Sequence, residues 1–168
     1  MLFRRLLQTH APAAVILIRL MVGAVFLSEG IQKFLFPEAR GVGRFEEIGF
    51  ASPMFWGYFV AVIEVVCGAL ILPGLLTRLA AIPLLIDMTV AIVITKLPII
   101  VGHGFGSFTV RELDRYGFWA MAHEIRTDWS MWLGALFLLI AGAGRLSVDA
   151  TLWGSTAKSA SGQTAMPE

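Results

Sequence analysis

Charge is the first thing this sequence is short of. Only 15% of its 168 residues are charged, while 57% are hydrophobic and the mean hydropathy is +0.77. That scarcity excludes an ordinary soluble domain and leaves a membrane protein in contact with the lipid bilayer. A net charge of +1 offers no basic surface, so nucleic acid is not an expected partner. Cysteine is nearly absent. With Cys67 alone, the chain can form no internal disulfide and holds no C-x-x-C pair, which excludes a thiol relay within one subunit. Metal-ligand spacing is also missing: His103 in GHGFG and His123 in HEIRTD stand apart, and the second lacks the partner histidine of a zinc-protease helix. No metal is expected, and both histidines read as solvated or interfacial. No ligation pattern for haem, flavin or an iron–sulfur cluster is present either. GHGFG follows no soluble strand and is not a dinucleotide loop.

What the chain does have is four apolar runs, at about 13–36, 55–76, 78–100 and 129–146. A hydrocarbon core takes about 20 helical residues to cross. The expected fold is therefore all-α, an integral membrane four-helix bundle, with two longer outer connections that contain short interfacial helices. Residues 1–154 form this domain, and the small, polar tail 155–168 is expected to be disordered. Pro37 stops the first run, and Pro83 and Pro98 should kink or end the third. Arg4 and Arg5 precede the first run, and no convincing cleavage site follows it. This reads as an uncleaved span with both termini cytoplasmic. The aromatic residues of the second outer connection, Tyr116, Phe118, Trp119 and Trp129, suit an interfacial belt.

The few charges within the apolar runs carry the functional reading. Arg19, Glu29 and Lys33 lie in the first run, RLMVGAVFLSEGIQK. At a helical step of 100° they fall at about 0°, −80° and −40°, along one stripe. Glu29 and Lys33 stand four apart in the favourable orientation for a pair. Glu64 is the lone charge of the second run and Asp87 the interior charge of the third, nine residues from both Arg78 and Lys96. A charge at membrane depth costs about 2.5–3.5 kcal/mol on insertion scales and is tolerated where it faces the bundle interior and finds partners. Glu64 must therefore be protonated or paired, with Arg19 or Lys33 as its partner. Two readings stand side by side: structural glue between helices, with snorkelling of Arg19 and Lys33, or a site that exchanges protons. Gly23, Gly30, Gly68 and Gly134 read as small residues that let membrane helices approach closely.

Three segments in order, RLMVGAVFLSEGIQK, EVVCGALILPGLLTRLAAIPLLIDMTVAI and AGAGRLSVD, resemble the DoxX family of small bacterial four-helix membrane proteins. The residues concerned are Arg19, Gly23, Phe26, Gly30 and Lys33; Glu64, Gly68, Gly74, Leu75, Arg78 and Ala81; then Gly142, Gly144, Arg145, Ser147 and Asp149. The resemblance implies a multi-pass protein of the bacterial inner membrane. It is similar to a functionally mixed group: one branch resembles the small subunit of a thiosulfate:quinone oxidoreductase, another is associated with superoxide- and thiol-stress complexes, and others assist maturation of periplasmic enzymes.

The reading that follows is a membrane subunit of an oxidoreductase complex working with the quinone pool. Glu64, Glu29 and Lys33 are the catalytic candidates, as a buried proton and charge cluster, while Arg19, Lys33 and Asp87 are candidates for a quinone or lipid head pocket. Quinone is the cofactor envisaged, none being covalently bound, and redox centres would come from partner protein subunits. A homo-oligomer is compatible with the sequence. The competing readings are a non-catalytic scaffold or assembly factor and, behind it, a small transporter, for which no inverted repeat is evident.

Overall fold

The computed structural model of the protein describes residues 11–153. The expected tail and the arginines used to orient the chain lie outside the described residues. Among the described residues there is no strand, and the fold is all-helical. In chain order the elements are α1 (Val15–Leu35), α2 (Val42–Ile48), α3 (Pro53–Ile71), α4 (Thr77–Ala91), a π-turn (Ile92–Lys96), α5 (Pro98–Val101), α6 (Phe118–Ala141) and α7 (Val148–Trp153).

Among the described residues three stretches are long and apolar enough to cross a membrane: Val15–Leu35, Pro53–Ile71 and Thr77–Val101. Their outward sides remain greasy, with Leu17 at 66% and Ile86 at 60% exposure. Apolar surface on this scale needs lipid around it. The expected fourth run meets a helix with other bounds. It begins eleven residues before Trp129, at Phe118, and ends at Ala141. Residues 118–128 carry Glu124, Arg126 and Asp128, and hydropathy alone sees there a loop. Gly142, at φ 82°, ends α6 before GAGR, so those residues form a turn. Pro83 sits inside α4 without ending it, whereas Pro98 opens α5 at a position where its missing N–H costs nothing.

α1 and α3 run antiparallel in close contact. A Cβ built on Gly68 would lie 2.7 Å from Leu27 N, and one on Gly30 would lie 2.8 Å from Val65 N. Glycine is therefore required where two backbones touch. α6 runs antiparallel to α4, and three contacts mark the register: Arg78 Nη2 donates to Ile140 O at 3.0 Å, Trp132 Nε1 donates to Thr89 Oγ1 at 3.0 Å, and Lys96 pairs with Asp128 at 3.3 Å. Val22, Phe26, Ile71, Leu84 and Leu138 fill the space between the long helices.

The two ends of the helix packing differ. One end, the turn face, holds the Leu72–Leu76 turn and α7; the other, the loop face, holds α2 and residues 102–117. At the loop face Thr109 ties the chain to α2, its N–H donating to Ile48 O and its hydroxyl to Glu47 O.

Overpacking a full interior costs about 1–3 kcal/mol. Gly68→Ala is expected to lower the thermal unfolding midpoint in detergent, while Ala69→Leu on the exposed side should leave it unchanged. Equal melting of the two variants would contradict the close approach.

Candidate functional site

The sequence stripe of α1 divides in space. A helix rises about 1.5 Å per residue, so Arg19 and Lys33 are about 21 Å apart along one axis. Lys33 goes to Glu64. Its Nζ donates to Glu64 Oε2 at 2.5 Å, with side-chain exposures of 13% and 4%. Side chains tilt toward the N-terminus of their own helix. In antiparallel α1 and α3 that tilt brings these two toward each other, so Lys33 points into the bundle and does not snorkel outward.

Glu29 takes a different course. Its carboxylate lies 3.9 Å from Arg40 and is 42% exposed, so it makes no pair with Lys33, although it remains within electrostatic range of Glu64. Asp87 of α4 lies within range of Lys33, Glu64 and Asp128, and its Oδ2 is buried with no hydrogen-bond partner among the described residues. Asp128 pairs with Lys96, and both are largely buried. The site that assembles is therefore Lys33, Glu64, Asp87, Lys96 and Asp128, from α1, α3, α4, the π-turn and α6. Sequence reading missed the pairing of Lys96 with Asp128. A helical phase continued upstream of Trp129 would have exposed Asp128.

Arg19 serves the turn face instead. Its Nη1 donates to Ala143 O at 2.9 Å and to Leu146 O at 2.5 Å, and its Nη2 donates to Leu72 O at 3.1 Å. One guanidinium thus gathers the carbonyls of two turns that no helix can satisfy. Beside it, Asp149 accepts from Leu76 N at 2.8 Å and Thr77 N at 3.1 Å, capping α4 from another element. Leu76 is the one non-glycine residue with positive φ among those described, at 51°. The two charge-assisted bonds offset that strain. Gly74 leaves room for the guanidinium, since a Cβ there would lie 2.6 Å from Arg19 Nη1. Ser147 Oγ donates to Gly144 O and accepts from Ala150 N, closing the turn that leads into α7.

With this geometry in place, comparison with known proteins is direct. The sequence pattern that defines DoxX matches residues 14–97. An uncharacterized membrane protein of Mycobacterium tuberculosis is 55% identical over 148 residues, covering 88% of this chain and 86% of its own. The chain belongs to the DoxX family. No solved structure matches it significantly. Eight of the residues on which the DoxX resemblance rests fall into three groups in space: Gly23, Gly30 and Gly68 at the α1–α3 contact, Lys33 and Glu64 in the buried pair, and Arg19, Gly74 and Asp149 at the turn-face clamp. In this DoxX protein the histidines of the sequence reading lie apart from the site. His103 is exposed and contacts Gly104 O at 3.2 Å, and His123 is exposed on α6. Among the described residues no group of three or more His, Cys, Asp and Glu is placed to hold a metal ion.

Two cavities flank the loop face. One, of about 850 Å³, is an apolar groove lined by Val42, Pro53, Phe55, Tyr58, Phe59 and Val62. Phe55, Tyr58, Phe59 and Val62 share one side of α3, and Glu64 lies on the opposite side. The other, of about 440 Å³, is polar, with Arg44, Glu47, Thr95, Thr109, Arg111 and Glu112 among its walls.

Removing one member of a buried ion pair costs about 3–5 kcal/mol, because the other charge is stranded. Glu64→Gln alone should lower stability in detergent by that amount, and the double variant Lys33→Met/Glu64→Gln should recover most of it. Additive losses would mean the pair is not coupled. At the turn face, Asp149→Ala is expected to cost about 2 kcal/mol or more through two lost charge-assisted bonds, read as a lower unfolding midpoint.

Proposed function

We propose that this DoxX-family protein is the membrane subunit of an oxidoreductase complex and that its buried charge cluster exchanges protons with the quinone pool. On this reading α6 also crosses the membrane, completing a four-helix bundle in which Lys96 neutralises Asp128 near one end. The observation that carries the reading is the charge balance of the cluster. Two ammonium groups, Lys33 and Lys96, face three carboxyl groups, Glu64, Asp87 and Asp128. Such a set is electrically neutral only when one carboxyl carries a proton. Asp87 Oδ2, buried and unbonded among the described residues, is the oxygen with capacity for it.

That orphaned oxygen also supports a quinone as the group this cluster would take. When bound, a quinone supplies two-electron, two-proton chemistry, and electrons reach it from a partner subunit. The chain's own part is local. Lys33 is a hydrogen-bond donor for a carbonyl oxygen, Asp87 holds or releases a proton beside it, and the apolar surroundings exclude competing water. Glu64 holds the ammonium in place. The apolar groove does not serve this cluster, because it opens on the other side of α3.

A second reading, a scaffold or assembly factor, is favoured by the two ion pairs themselves. Lys33–Glu64 ties α1 to α3, and Lys96–Asp128 ties the end of α4 to α6. Asp87→Asn separates the two readings, since it keeps the shape and removes the acid. Purified in mild detergent from its own membrane, the wild-type protein is expected to carry extractable quinone. Asp87→Asn should melt at the wild-type temperature while quinone reduction by the membranes falls by about 10²-fold, the usual scale for a lost general acid. Absence of quinone together with full activity of the variant would leave the scaffold.

A further inference from the structure

The cluster does not sit evenly between the two ends of the bundle, and its surroundings differ in the two directions. Toward the loop face, charged and polar groups are spaced at intervals from the interior to solvent. Glu64 is faced by Lys33 and Glu29 of α1 and by Asp87 of α4. Asp87 is within range of Asp128 on α6, and Asp128 is held at 3.3 Å by Lys96 of the π-turn. Thr95, the residue before Lys96, forms part of the wall of the polar cavity. Thr109, Arg111 and Glu112 line the same cavity, and the last two are exposed. Arg111 is itself bound to Glu124 of α6 at 3.3 Å, which anchors the rim.

Toward the turn face the sequence of polar groups stops. Cys67, Ile71, Val22, Phe26, Ala81, Leu84 and Leu138 are all buried there and pack as one core. Below them the guanidinium of Arg19 donates through its two Nη atoms to three carbonyls and Asp149 accepts from two backbone N–H groups, with Arg19 Nε and the Thr77 hydroxyl buried beside them. A close-packed apolar interior offers no chain of donors and acceptors for a proton.

We propose that proton exchange with the buried cluster is one-sided: protons pass through the polar cavity beneath the 102–117 segment, by way of Thr95, Lys96 and Asp128, and the turn face is sealed. This deepens the proton-exchanging reading and rests on it. The protein then releases or takes up protons at a single membrane face and does not pump them across.

The test uses the full chain, reconstituted in sealed phosphatidylcholine vesicles in one orientation verified by protease. Infrared absorbance of protonated carboxyl groups is followed after a pH step, with the band assigned by its loss in Glu64→Gln and Asp87→Asn. A step on the loop face should change the band at once, and the same step on the turn face should leave it unchanged until the gradient decays. Glu112→Trp, at an exposed position on the cavity wall, should slow the response several-fold with no change in unfolding temperature. An equally fast response from the turn face overturns the one-sided route while leaving the proton role intact. An unslowed response in Glu112→Trp removes the cavity from it. If no carboxyl band responds from either side, the proton-exchanging reading falls as well.

Discussion

Inside a greasy helix a charged side chain has no solvent to turn to, so each one must be met by another part of the protein. That constraint arranges this molecule. Lys33 and Glu64 join α1 to α3, Lys96 and Asp128 join the end of α4 to α6, and Arg19 joins α1 to the turns at either side of it. The apolar core fills what lies between, but it is directionless: leucine and isoleucine pack almost equally well at several registers. The charges choose one. Glycines at the α1–α3 contact then let the backbones come near enough for Lys33 to reach Glu64.

The division of labour between two kinds of charge is the main structural result. At the turn face, Arg19 and Asp149 bond only to backbone, and every contact they make completes a turn. They act as architecture. Toward the loop face, lysines meet carboxylates, and one carboxylate is in excess. A guanidinium wrapped in carbonyls stays charged and fixed, whereas ammonium and carboxyl groups in close company can trade protons. The difference in chemistry is a reason to look for activity at one end of the bundle and for stability at the other.

How far the sequence could be read follows from what hydropathy measures. The helices α1, α3 and α4 are apolar enough along their length, despite a few charges, for their positions to be evident at once. The start of α6 is not, because Glu124, Arg126 and Asp128 interrupt it, and two of these meet tertiary partners on other segments, Asp128 with Lys96 and Glu124 with Arg111. The pairing of Lys33 with Glu64 was half open to inference from cost, since Glu64 was a lone charge in need of an opposite and Lys33 was one of two cations offered for it. Arg19 was grouped with them because helical phase gives a direction around the axis and says nothing of height. Glu29 shares the stripe too, yet Arg40 in the following turn lies nearer to it than any buried partner. The cap that Asp149 places on α4 crosses more than seventy positions of chain and has no local signature.

The π-turn at Ile92–Lys96 has a consequence of its own. A wide turn is geometrically a helix that has absorbed one additional residue, and everything beyond it is rotated by about 100° relative to an uninterrupted α-helix. Lys96 owes its aim to that offset. The loop-face end of the third span is thus phased separately from its beginning, as if two helices had been spliced.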